Sequence, residues 1–164
     1  MTDRPTADER LFKVVFDLPM ESPTWPPVSS ESLWAAKTPV KFHLALRNIP
    51  FYAKGVAYGD VVLVQAYPQR REIVFERFVS ESGHSAIQVL LRSQEHRDRL
   101  EGILNDFAVT WETASGGNYY AVDVKPATDY AAFRSALVDM DGAEVLMQES
   151  AISNHHRSQG ALSW

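Results

Sequence analysis

From Ser85 to Ser150 the apolar residues change period in a fixed order, strand, helix, strand, strand, helix, strand. Few topologies accept that order. Ser85 to Leu91 puts Ile87, Val89 and Leu91 on one side at a period of two, as a half-buried strand requires. Residues 94–107 place Leu100, Ile103, Leu104 and Phe107 at helical spacing, with Ser93 as candidate N-cap. Val109 to Thr113 and Tyr119 to Val124 read as two strands joined through the turn Ser115-Gly116-Gly117-Asn118. Thr128 or Asp129 then caps a second helix carrying Tyr130, Phe133, Leu137 and Met140 on one side, and Glu144 to Ser150 is a last strand. This is the split βαβ, or ferredoxin-like, order, in which two right-handed crossovers serve one antiparallel sheet.

Before Ser85 the pattern is different. Leu11 to Leu18 reads as a strand ended by Pro19. A loop from Pro19 to Ser32 follows, with Pro23, Pro26 and Pro27 blocking regular structure. Lys41 to Leu46, Val61 to Ala66 and Glu72 to Val79 complete a set of four short strands, with Pro68-Gln69-Arg70-Arg71 as a hairpin tip. Four such strands suggest a small curved sheet or partial barrel. The expected architecture is therefore α+β. A β-rich half over 11–84 packs on a ferredoxin-like half over 85–153, flanked by a flexible arm at 1–10 and a flexible tail at 154–164.

Composition narrows the function classes. With 164 residues, 45% hydrophobic and 23% charged, the chain can bury an ordinary core. A formal net charge of -5 argues against a dedicated nucleic-acid binder. Recognition of RNA would need Tyr119 or Tyr120 exposed beside Arg70, Arg71 or Arg92. The absence of cysteine removes disulfides, thiolate catalysis and cysteine-based zinc sites, and is compatible with a reducing cytoplasm. No signal-peptide pattern opens the chain, and no stretch approaches the ~20 apolar residues of a membrane helix. A cytoplasmic location without membrane contact is the expectation.

The most concentrated polar stretch is Ser82-Gly83-His84-Ser85, at the junction of the two halves. A histidine between hydroxyls can act as a general base or ligand, or it can sit in a tight turn and bond backbone carbonyls. Asp60, after Tyr58-Gly59, could orient His84 or could stabilise the turn before a strand. Glu31 offers a second carboxylate, and Trp34 an aromatic anchor for a pocket or a partner. His155-His156 cannot share a helix face, and no second ligand pair stands at metal-site spacing, so no metal is expected. His96 reads as a surface residue. Phosphate-loop, dinucleotide and HExxH patterns are missing, as is the hydrolase elbow, so no cofactor is expected.

Pro26-Pro27-Val28, Glu31-Ser32-Leu33-Trp34-Ala35, Asn48-Ile49-Pro50-Phe51, Tyr58-Gly59-Asp60-Val61-Val62, Ser82-Gly83-His84-Ser85 and Ala121-Val122-Asp123-Val124 together resemble the bacterial family called domain of unknown function 4265. The resemblance runs from about Leu11 to Ser150. It implies a stand-alone bacterial protein and groups Glu31, Trp34, Asp60 and His84 in one pattern. No activity comes with it.

Two functions follow. The first is a non-enzymatic binding module, either an immunity-type or regulatory protein whose acidic surface meets a protein partner, or a small-molecule sensor. Trp34, Tyr58, Ser82 and Ser85 are its candidate contacts. The second is an enzyme using His84 with Asp60 or Glu31 as acid/base pair. The open sheet face of the second half could also pair with another copy, so a dimer is left open.

Overall fold

The computed structural model describes residues 9–114 and 116–159. The expected arm at 1–10 and the end of the expected tail, with Leu162 and Trp164, therefore lie almost wholly outside the described residues. The chain divides into two compact units, with the boundary between Ser82 and Gly83.

The first unit is a closed barrel of five strands: β1 (Leu11–Asp17), β2 (Ser30–Lys37), β3 (His43–Leu46), β4 (Val61–Tyr67) and β5 (Glu72–Ser80). Neighbours in chain order pair antiparallel. Closure comes from β1 lying parallel to β5, with Val14 opposite Ile73 and Val15 opposite Val74. Closing a sheet over so few strands needs strong bending, and β4–β5 supplies it with register shifts at Val61/Val62 and Leu63/Val64. Alternation turns Val14, Phe16, Leu33, Ala35, Leu44, Leu46, Val62 and Val64 into the barrel core. Phe16 stacks on Phe75 with centroids 4.6 Å apart.

Two expectations change here. The structure has five strands in a closed barrel, where four in a partial barrel were expected. The additional strand is β2, much of which the proline-rich loop was read to contain or adjoin. Its Leu33 and Ala35 face the core, while Ser32 and Trp34 face outward, and residues 30–36 pair with all of β1.

The second unit runs β6 (Ser85–Leu91), α1 (Arg97–Asp106), β7 (Thr110–Thr113), β8 (Tyr119–Val124), α2 (Tyr130–Val138), β9 (Val145–Ala151) and α3 (Asn154–Arg157). Its sheet has the order β7-β8-β6-β9 with all pairs antiparallel. Ser93 accepts from Glu95 N–H in the single 3-10 turn that leads into α1, and Asp129 accepts from Ala132 N–H as the N-cap of α2. One sheet face meets Leu100 and Leu104 of α1 and Tyr130, Phe133 and Leu137 of α2. On the other face, which was expected to be open, Ala86, Gln88, Tyr119, Ala121 and Asp123 are buried side chains.

The expected tail also changes character. Residues 154–157 form a helical turn, and His156 is fully buried against Tyr130, with ring centroids 5.1 Å apart.

Phe133 is fully buried and meets Phe107 edge-on at 5.3 Å. Phe133→Ala is expected to destabilise the second unit by about 3–5 kcal/mol, measured by urea denaturation with backbone circular dichroism.

Candidate functional site

In the stretch Ser82-Gly83-His84-Ser85 each polar side chain has a partner of its own. Gly83 bends the chain there, with φ +96°. Ser82 Oγ donates to Tyr58 O at 2.6 Å and lies 3.1 Å from Asp60 Oδ1. His84 Nδ1 sits 2.7 Å from Asp123 Oδ1, on the sheet face away from the helices. Ser85 Oγ lies 2.6 Å from His156 Nδ1 on the helix face.

Asp60 is a buried carboxylate that organises the chain before β4. It accepts from Ala57 N–H at 2.9 Å and from Ser82 N–H at 2.9 Å. Burial raises its carboxyl above the ordinary range, partly offset by the N–H donors of Ser82 and Ala57. Gly59 allows the approach: its φ is +81°, and a Cβ there would stand 3.0 Å from Ser82 Cβ. While Asp60 accepts from those backbone N–H groups, His84 has a carboxylate partner in Asp123, a pair that was not read from the sequence. It is a cross-strand contact between β8 and the residue before β6.

Glu31 is likewise committed to backbone. Its Oε1 accepts from Phe51 N–H at 2.7 Å, and its Oε2 accepts from Tyr52 N–H at 2.9 Å and Ala53 N–H at 2.8 Å. Three successive amides with no ladder partner thus find one anion. Burial, and then the Glu31 charge, raise the Tyr52 phenol. Trp34 lies on the outer barrel surface, 41% exposed, with Lys13 Nζ 5.2 Å from its ring centre.

Asp123 holding His84 has the form of a base with its orienting carboxylate. Both serines of the stretch are already engaged. Ser85 is fully buried, accepts from Ser153 N–H at 2.9 Å, and donates to His156 Nδ1. His156 Nε2 in turn donates to Lys125 O at 3.0 Å, which fixes the neutral tautomer. Burial lowers the His156 pKa, with the Lys125 carbonyl acting in the opposite sense. Sequence reasoning weighed His156 only as a metal ligand, because it lay in a polar terminal stretch. The signal was Ser153, whose Oγ caps the turn by accepting from His156 N–H at 3.1 Å.

Among the described residues, one grouping has metal-ligand geometry: Glu95, His96 and Glu144, with ligand atoms within 4.8 Å of one another. Both glutamates are exposed, and His96 Nε2 bonds Glu144 Oε2 at 3.0 Å. Such surface clusters are common and carry no assignment.

A concave feature lies at the barrel end formed by the β2–β3 turn and the β4–β5 hairpin. A cavity of about 350 Å³ is walled by Phe12, Leu44, Val64, Ala66 and Ile73, with residues 37–43 as its lip. Lys37 and Lys41 stand in that lip. Thr38 Oγ1 shapes the turn, lying 2.9 Å from His43 O and accepting from Val40 N–H at 3.2 Å. Phe42 adopts φ +65°, a left-handed conformation costly for an aromatic residue. Val40 and Phe42 remain 55% and 50% exposed. Sequence reasoning gave residues 37–40 no role and placed Lys41 and Phe42 inside a strand that begins only at His43. Its signal was two lysines bracketing Thr38-Pro39-Val40.

Two outcomes test the polar groups. Glu31→Gln is expected to cost about 2 kcal/mol in urea denaturation, since its amide nitrogen would face backbone donors. A histidine held below its ordinary 6.5 is protonated first in the unfolded chain. Its stabilising effect is complete above that value and is lost as pH falls toward the folded-state pKa. Stability should therefore decline below about pH 6.5, and His156→Gln, though less stable throughout, should show a shallower decline over the same interval.

The family described as "Domain of unknown function (DUF4265)" matches residues 31–147. A hypothetical protein from Neisseria gonorrhoeae has a similar solved structure, with a TM-score of 0.71 and 18% identity, covering 88% of this chain and 96% of that one. At that identity the likeness concerns the fold. No curated protein matches the chain. No helix among the described residues is long and apolar enough to cross a membrane. The match spans most of both units, and the chain belongs to this family of unknown function.

Proposed function

We propose that the protein is a non-catalytic binding module for a small molecule, seated in the barrel-end cavity. The observation that carries this reading is the cavity itself, about 350 Å³ with apolar walls and a lip of a few polar groups, the ordinary make-up of a ligand site. The enzymatic alternative, His84 with Asp60 or Glu31, lacks support because both carboxylates hold backbone amides. Within the binding class, a cavity favours a sensor of small molecules over an immunity-type or other regulatory protein that meets a protein partner. That version rests on net charge alone. The β-α-β-β-α-β order with strands arranged β7-β8-β6-β9 supports reading the second unit as ferredoxin-like, a framework that hosts many unrelated functions. The cysteine-free composition fits a cytoplasmic site of action.

Native mass spectrometry of protein purified from its host tests the reading. Ala66→Trp fills the cavity from an exposed wall position and should leave the fold intact by circular dichroism. A small molecule retained by wild type and lost from the folded variant is the expected result. No retained molecule, or equal retention by both forms, overturns it.

A further inference from the structure

The cavity is chemically lopsided. Its walls are apolar, while Lys37, Lys41 and His43 are the ionisable groups among its lining residues and no acid stands with them. Arg10 adds a further cation at the same barrel end, its Cζ 5.2 Å from the Phe12 ring centre. Lys37 Nζ lies 5.5 Å from that same ring, and Lys41 Nζ lies 5.0 Å from the Phe42 ring. Among the described residues no salt bridge involves Arg10, Lys37 or Lys41, although acids outnumber bases in the chain, 21 to 16.

From this we infer that the ligand is an amphipathic anion, an aliphatic or aryl carboxylate of modest size. The inference rests on the cavity being the binding site. Phe12, Leu44, Val64 and Ile73 supply a surface for the apolar body. Lys37 and Lys41 meet the carboxylate at the lip, and their side chains rest on aromatic rings that limit their freedom before binding. Val40 and Phe42, large apolar groups held in water beside the lysines, gain cover from the part of the ligand between head and tail. The volume lies near the lower end of what drug-sized ligands occupy, so the tail is short. The strained backbone at Phe42 fits a lip held in shape for an occupant.

Three probes with one tail and different heads test this: octanoate, 1-octanol and octylammonium, titrated into isotopically labelled full-length protein and followed by amide shifts. An uncharged apolar cavity would prefer the alcohol, because the carboxylate loses more hydration on entry. With the lysines acting, octanoate should bind more tightly than octanol by roughly threefold to tenfold, octylammonium should bind most weakly, and shifts should concentrate at 37–44 and 64–66. In Lys37→Gln/Lys41→Gln the octanoate preference should vanish while octanol affinity holds. Octanol binding as tightly as octanoate in wild type, or an octanoate preference unchanged in the double variant, overturns the anion inference and leaves the cavity as a site. Absence of shifts at the lip with all three probes overturns both readings.

Discussion

Backbone amides that no sheet ladder can reach must still be paired, and in this chain the pairing falls to a few acidic and imidazole side chains. The β3–β4 connection has no strand partner over residues 51–53, yet it brings Ala53 and Val56 into the barrel core. The Glu31 carboxylate makes that possible by accepting three successive N–H groups. Asp60 does the same for Ala57 and Ser82. Without these anions the connection would bury unpaired donors, each costing about 1–3 kcal/mol. In the second unit, Ser85 and His156 join the start of β6 to the last helical turn by the same logic.

The same residues are the ones that suggest chemistry when only the sequence is in view. Glu31, Asp60 and His84 look like an acid/base set because a carboxylate that serves backbone and one that serves a substrate have the same one-letter signature. Only cross-strand geometry separates them. His84 pairs with Asp123 through an antiparallel neighbour 39 positions away, a register that no local pattern encodes. By contrast, α1 and α2 were legible in outline, since amphipathic period is a local property, although Ser93 caps the 3-10 turn before α1 and not α1 itself. Barrel closure was not, because β1 finds β5 in parallel across the whole unit, and β2 begins so soon after the prolines that its short Leu33, Ala35 face was lost beside them. The turn at 154–157 is too short to show a period at all.

Net charge hid a second feature. An average of -5 over 164 residues describes the surface as acidic, yet the residues around the cavity carry the opposite sign. Averages decide solubility and long-range steering. Recognition is decided within a few ångströms, where the sign of the lip matters and the sign of the chain does not.

The two ends of the barrel differ for a physical reason. At the end where β2 begins, the long β3–β4 connection closes the core, and Glu31 pairs its backbone, so small apolar side chains can fill the space. At the end where β2 finishes, the link to β3 is only residues 38–42, too short to fold back over the opening. It stands up as a lip instead, shaped by Thr38 and by the left-handed Phe42. A barrel of this size could be sealed at both ends by exchanging these residues for a longer loop, with a gain in apolar burial. The arrangement present leaves Val40 and Phe42 in water and three cations without acidic partners among the described residues. Exposed apolar groups and like charges close together both oppose folding, so this end of the barrel is held open at a cost in stability that the sealed end does not carry.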